Sequence, residues 1–206
     1  MTLPYRFFLG GADLEMVELR KLLQNHAPNA IEDRHLAWGA ALSAYRDPLL
    51  ASVVMGETPV AIELQDDLPP DLFDRERMIF VDHHGKRAGA EQSTSIEQVF
   101  QLLDLPPDQW SRWLSLVAAN DRAHIPGLRA IGATAEELAS VRAADRRAQS
   151  VTEADEAEAR RAIAASRREG RLTTIETAGT TSSAIVDFLA PDLGGSGYEP
   201  QGSPHL

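Results

Sequence analysis

The chain has 206 residues, 43% of them hydrophobic, and a formal charge of -11. That is enough for one core with a small annex, and the charge argues against a long polyanion as partner. With no cysteine, disulfides and thiolate metal sites are excluded, so any metal must be held by His, Asp and Glu. No apolar run approaches the roughly 18 residues of a membrane span. Residues 1–10 lack the basic start and apolar core of a secretory signal. The expectation is a cytoplasmic protein that does not enter membranes.

In chain order, Tyr5 to Leu9 reads as a short strand ended by Gly10-Gly11. A helix follows, with Leu14, Val17, Leu22 and Leu23 on one side. Asp13 and Glu15 fall at its start, where the helix dipole favours carboxylates; ordinary capping accounts for them equally well. Asn29 to Leu36 is a polar candidate strand. Trp38 to Met55 is rich in alanine and leucine and predicts helix, interrupted at Asp47-Pro48. Pro59 to Leu64 predicts a strand that carries Glu63 among apolar neighbours, a costly position for a carboxylate without a partner or a metal. An acidic loop, Gln65 to Asp74, leads to the run Met78-Ile79-Phe80-Val81. This buried strand runs directly into Asp82-His83-His84-Gly85. In parallel α/β sheets, ligands bind beyond the carboxyl ends of such strands.

Thr94 and Glu97 have capping-box spacing ahead of a helix through Ile96, Val99, Phe100 and Leu103. Asp108 opens another predicted helix, with Trp110, Trp113, Leu114 and Val117 on its core face, running to Asn120-Asp121-Arg122. Asp121 at that helix end opposes the dipole and calls for a positive partner. Thr134 with Glu137 and Thr152 with Asp155 repeat the capping spacing. They start two charged helices, to about Ala148 and Arg168, that read as a solvated hairpin over about 134–169. Leu172 to Thr177 predicts a strand and Ser183 to Leu189 a short helix. From Pro191 the chain is rich in Gly, Pro and Ser, as in a flexible tail. The architecture expected is an α/β domain over 1–190, with a mainly parallel sheet, helices on both faces and a C-terminal helical hairpin, followed by a tail at 191–206.

Collected, Asp13, Glu15, Glu63, Asp82, His83, His84 and Asp121 form a hard, thiolate-free donor set at strand ends and helix ends. In that order the chain resembles the DHH phosphoesterase superfamily over about residues 5–122. The resemblance lies in the acid-x-acid Asp13-Leu14-Glu15, the strand-ending acid of Ala61-Ile62-Glu63-Leu64, Val81-Asp82-His83-His84-Gly85 with the helix start Ser93-Thr94-Ser95, and Asp121 in Ala119-Asn120-Asp121-Arg122. It implies a two-metal site, with manganese as the usual ion and magnesium as the alternative. Metal ligands would be Asp13, Glu15, Glu63, His83 and Asp121, with Glu63 bridging. Asp82 would orient the strand end. His84 would face a substrate phosphate, with Lys86, Arg87 and Arg122 as further phosphate contacts, unless these three are plain surface charges.

Where the family carries a histidine four residues before the first acid, this chain has Leu9. Glu15 and Glu63 stand where aspartates are usual. One tight ion and one weak or absent ion are therefore expected. After Leu172 little chain remains for the family's C-terminal substrate domain, which is expected to be absent or replaced by the hairpin. The activity implied is hydrolysis of a small phosphate ester, phosphodiester or short oligonucleotide by a metal-activated water. The alternative is a catalytically degenerate DHH-fold binding or scaffolding protein.

Overall fold

The computed structural model describes residues 5–84, 92–179 and 181–190. The chain forms two compact units that divide between Gly127 and Leu128, inside what the sequence presents as one domain.

The first unit is an α/β layer structure. Strands β1 (Tyr5–Leu9), β2 (Ile31–Glu32), β3 (Thr58–Ile62) and β4 (Ile79–Val81) form a parallel sheet in the order β2-β1-β3-β4. All carboxyl ends therefore lie on one edge. Alternation along β1 sends Phe7 and Leu9 into one core and Phe8 into another. The first core packs α1 (Leu14–His26), α3 (Ser95–Leu102) and α4 (Arg112–Ala130) on one face, through Leu19, Leu23, Val99 and Ala118. The second packs α2 (Arg46–Val54) and the turn before it on the other, through Leu42, Tyr45 and Leu49. A mainly parallel sheet with helices on both faces is what the alternation of apolar runs requires.

Several boundaries differ from those expected, each for a local reason. Only Ile31–Glu32 of the polar stretch 29–36 pairs with β1. The helix expected from Trp38 starts later. Residues 38–41 are a loop with Gly39 at φ +78°, and a 3₁₀ turn at Leu42–Tyr45 precedes α2. Pro48 does not interrupt α2 but sits in its first turn, where no backbone N–H is needed. Pro107–Gln109 is a 3₁₀ turn, so α4 starts at Arg112 rather than Asp108. Trp110 instead packs edge-on to Phe100, centroids 5.0 Å apart, and donates to Ser115 Oγ at 2.9 Å. The α4 backbone leaves the helical region at Ala123 and His124, just past Arg122.

The second unit holds α5 (Ala135–Ala148), α6 (Glu153–Ala164), a two-stranded antiparallel pair β5 (Arg167–Glu169) and β6 (Leu172–Thr174), and α7 (Ser183–Leu189). Both expected capping boxes form, at Thr134 and Thr152. The second helix stops at Ala164, not Arg168, because Gly170 at φ +60° turns the chain into a hairpin. Nor is the helical pair solvated on all sides. Arg142 is fully buried and its Nε donates to Asp187 Oδ1 at 2.9 Å, while its Nη1 donates to Asp145 Oδ2 at 2.7 Å. Arg146 reaches Asp187 and Glu156. Charge alternation in α5 therefore marks a buried ion network that ties α7 to α5 and α6. Residues 191–206, expected as a tail, lie outside the described residues. Among the described residues no helix is long and apolar enough to cross a membrane.

Candidate metal centre

The centre is built where three parallel strands end. After β1 the chain passes through Gly10 and Gly11. Gly10 N donates to Ile62 O at 2.9 Å, and a Cβ on Gly10 would lie 2.4 Å from Glu63 O. No side chain fits there, so the two strand ends close tightly. Glu63, one residue past β3, has φ +51°, a left-handed conformation that costs a non-glycine residue on the order of 1–2 kcal/mol. Its N–H bonds Val81 O at 2.9 Å. This turn aims the Glu63 carboxylate across the sheet edge toward the residues after β4.

Those residues are His83 and His84, with ring centroids 4.0 Å apart. His84 N donates to Asp82 Oδ1 at 2.8 Å, and Gln98 Nε2 bonds both Asp82 O and Ser93 O. Asp82 thus closes the turn into His84 through its own carboxylate. His83 Nε2 lies 3.6 Å from Glu15 Oε2 and 3.8 Å from Glu63 Oε1, and is in close contact with Asp121 Oδ2. His84 Nε2 lies 3.6 Å from Glu63 Oε1. One donor atom each from Glu63, His83, His84 and Asp121 falls within 4.8 Å of the others. Two supports hold the carboxylates. Ser95 Oγ donates to Glu63 Oε1 at 2.8 Å, and Ile96 N donates to Glu15 Oε1 at 3.0 Å, both from the first turn of α3.

The electrostatics are those of a cluster wanting a cation. Burial, together with Asp121 and Glu63, pushes the Glu15 carboxyl up to about 8 despite its contact with His83. Burial opposes charge on His83, yet Asp121 and Glu15 outweigh it and hold the imidazole at about 10. Contact with Glu63 raises His84, while burial of Glu63 is outweighed by His84 and Ser95, leaving that carboxyl below its usual range. Among the described residues no Lys or Arg ion pair forms with Glu15, Glu63 or Asp121. Arg122 pairs with Glu97 instead. Glu15 Oε2, His83 Nε2, His84 Nε2 and Asp121 Oδ2 are buried and converge on one another without hydrogen bonds of ordinary geometry, although buried polar atoms are nearly always satisfied. Converging nitrogen and oxygen donors of this kind could hold a divalent metal ion.

The expected ligands Glu15, Glu63, His83 and Asp121 are thus brought together. Asp13 is drawn partly away: it caps α1, with Oδ1 accepting from Met16 N at 2.8 Å. Its other oxygen lies 3.9 Å from where a Gly11 Cβ would sit, and Glu63 Oε2 lies 3.5 Å from the same point. His84, read from the sequence as a phosphate contact, stands among the donors. Arg122, expected to meet substrate, is engaged by Glu97. Lys86 and Arg87 lie outside the described residues. The supporting roles of Ser95, Gln98 and Gly10 have no sequence signal beyond a helix start and a turn. Comparison with protein-family models, curated proteins and solved structures finds no match for this chain.

Proposed function

We propose that the first unit is a metal-dependent phosphoesterase acting on a small phosphate ester, phosphodiester or short oligonucleotide. The observation that carries the reading is the set of four buried, converging donor atoms on Glu15, His83, His84 and Asp121 around Glu63. Glu15, Glu63, His83, His84 and Asp121 would hold the ion, with Mn²⁺ the best match to a mixed nitrogen and oxygen set and Mg²⁺ the alternative. Such an ion supplies Lewis-acid activation of water and neutralises charge on a phosphate. The chain's own contribution is positional. Ser95 and the Ile96 N–H fix the carboxylates, and Asp82 fixes the histidine turn. His84, whose Nε2 faces Glu63 Oε1 at 3.6 Å while its ring is partly exposed, closes the donor set on the solvent side.

The competing reading is a binding or scaffolding protein that has lost turnover. One observation favours it: Leu9 is fully buried in the core and Asp13 caps a helix, so a second ion finds few donors. Chelator-stripped protein assayed with pyrophosphate and a dinucleotide, with and without Mn²⁺, separates the two. The enzyme reading expects turnover that chelator removes and Mn²⁺ restores. Metal binding without turnover on any of these substrates would leave the binding-protein reading standing.

A further inference from the structure

We infer that Trp38 is a stacking platform for the base of a nucleotide whose phosphate sits at the carboxylate and imidazole cluster, which rests on the phosphate-ester reading above. Among the described residues, the exposed large apolar side chains are Trp38, Val54, Met55, Ile131, Leu172 and Val186, and Trp38, 73% exposed, is the aromatic one. Val54 and Met55 end α2 and lie just before the start of β3, at the opposite sheet edge from the centre, so Trp38 is not one corner of a shared apolar patch with them. It belongs to the centre's own edge. The point where a Gly11 Cβ would sit is 4.0 Å from Trp38 Cδ1, 3.5 Å from Glu63 Oε2 and 3.9 Å from Asp13 Oδ2. A single point beside Gly11 is therefore within van der Waals reach of two carboxylates and the indole edge.

The loop that carries Trp38 is pinned to the backbone flanking those carboxylates. Buried Tyr45 donates its hydroxyl to Leu9 O at 2.7 Å, immediately before the two glycines, and accepts from Arg34 N at 2.9 Å. On the far side, Gln65 N donates to Ala40 O at 3.0 Å and Leu42 N to Gln65 O at 2.8 Å, two residues past Glu63. A loop backbone held this way keeps the Trp38 position fixed relative to the centre, which lowers the ordering cost of binding. Beside Trp38 runs a shallow, open groove walled by its own segment of chain, including Leu36, Ala37, Ala41 and Ser43; the Gly11 distances alone tie the indole to the centre. What fits is a flat, apolar ring joined to an anion. Pyrophosphate offers nothing for the indole face, and a ribose offers only its small C–H face, whereas every nucleobase has a broad π face that stacks on aromatics.

The test measures binding of AMP and of ribose 5-phosphate to the Mn²⁺-loaded full chain by calorimetry, in the wild type, W38A and W38F. The two ligands share a phosphate and a ribose and differ in the base. The inference expects AMP to bind about five- to a hundredfold more tightly than ribose 5-phosphate. W38A should erase that preference while leaving ribose 5-phosphate binding in place, and W38F should keep part of it. Equal affinity of the two ligands for the wild type, with both requiring Mn²⁺, overturns the inference and leaves the metal reading intact. A preference that survives W38A also overturns it, because the base is then read elsewhere. If Mn²⁺ alone gives no binding heat, the metal reading fails first and takes this inference with it.

Discussion

His83 and Glu15 set the pH behaviour of the centre. The folded pKa of His83, about 10, lies above its usual 6.5, and that of Glu15, about 8, above 4.5. Both shifts are upward. Each contribution to stability is full below the unfolded pKa and is lost as pH rises through the folded one. The metal-free protein should therefore weaken from about pH 4.5, where Glu15 begins to contribute less, through about pH 10, where the contribution of His83 is lost. A metal ion needs both groups deprotonated, so its affinity should climb over the same window. Thermal unfolding with and without Mn²⁺ checks this: the gain in Tm should be larger at about pH 8.5 than at about pH 6. Ser95 supports Glu63 rather than the ion itself. Ser95→Ala should weaken Mn²⁺ binding by about tenfold, the low end for partners that orient a ligand, without abolishing it. Leu9 tests the family comparison. Its side chain packs with Phe7 and Met16 in the core, so Leu9→His should bury an imidazole among apolar groups. A loss of about 2–4 kcal/mol in urea unfolding is expected, with no second metal site gained.

Elements carry the donors to one place by backbone geometry that the sequence shows only in part. The strands around Phe7, Val60 and Phe80 were legible because short apolar runs ended by glycine or acid have few alternatives. Glu63 and His83 were legible as neighbours through their motif order, and Asp121 through its awkward place at a helix end, whereas the sequence placed His84 at phosphate and Asp13 among the ligands. Three things were not legible. The left-handed turn at Glu63 has no composition cue, since Glu is not a residue of such turns. The loop at Trp38 hides in an alanine-rich stretch whose propensity favours helix and is overridden by its bonds to Gln65. The buried pairing of Arg142 and Asp187, 45 residues apart, looks from spacing like a solvated helix face. Two substitutions test how these elements are held together. Gly10→Ala pushes a methyl against Glu63 O and should cost about 1–3 kcal/mol, as overpacking does, while disturbing the metal site. Asp187→Ala leaves Arg142 and Arg146 short of their shared carboxylate and should cost about 3–5 kcal/mol, read by urea unfolding of the full chain.

The whole molecule sets what can approach the centre. A formal charge of -11 repels long polyanions, whereas a small phosphate meets mainly the local field, which a bound cation would reverse. A single strand of about twenty nucleotides should therefore bind no more tightly than a dinucleotide at physiological salt; nanomolar affinity for the longer strand would contradict this.

Metal chemistry at this centre requires the cluster to take up a divalent ion, so calorimetric titration of chelator-stripped protein with Mn²⁺, at about pH 8 where the raised Glu15 carboxyl gives up its proton, is the most direct test. The predicted result is one tight site in the wild type that disappears in His83→Ala, with any second ion much weaker. No binding heat in the wild type, or binding of the same strength after His83→Ala, would contradict the account.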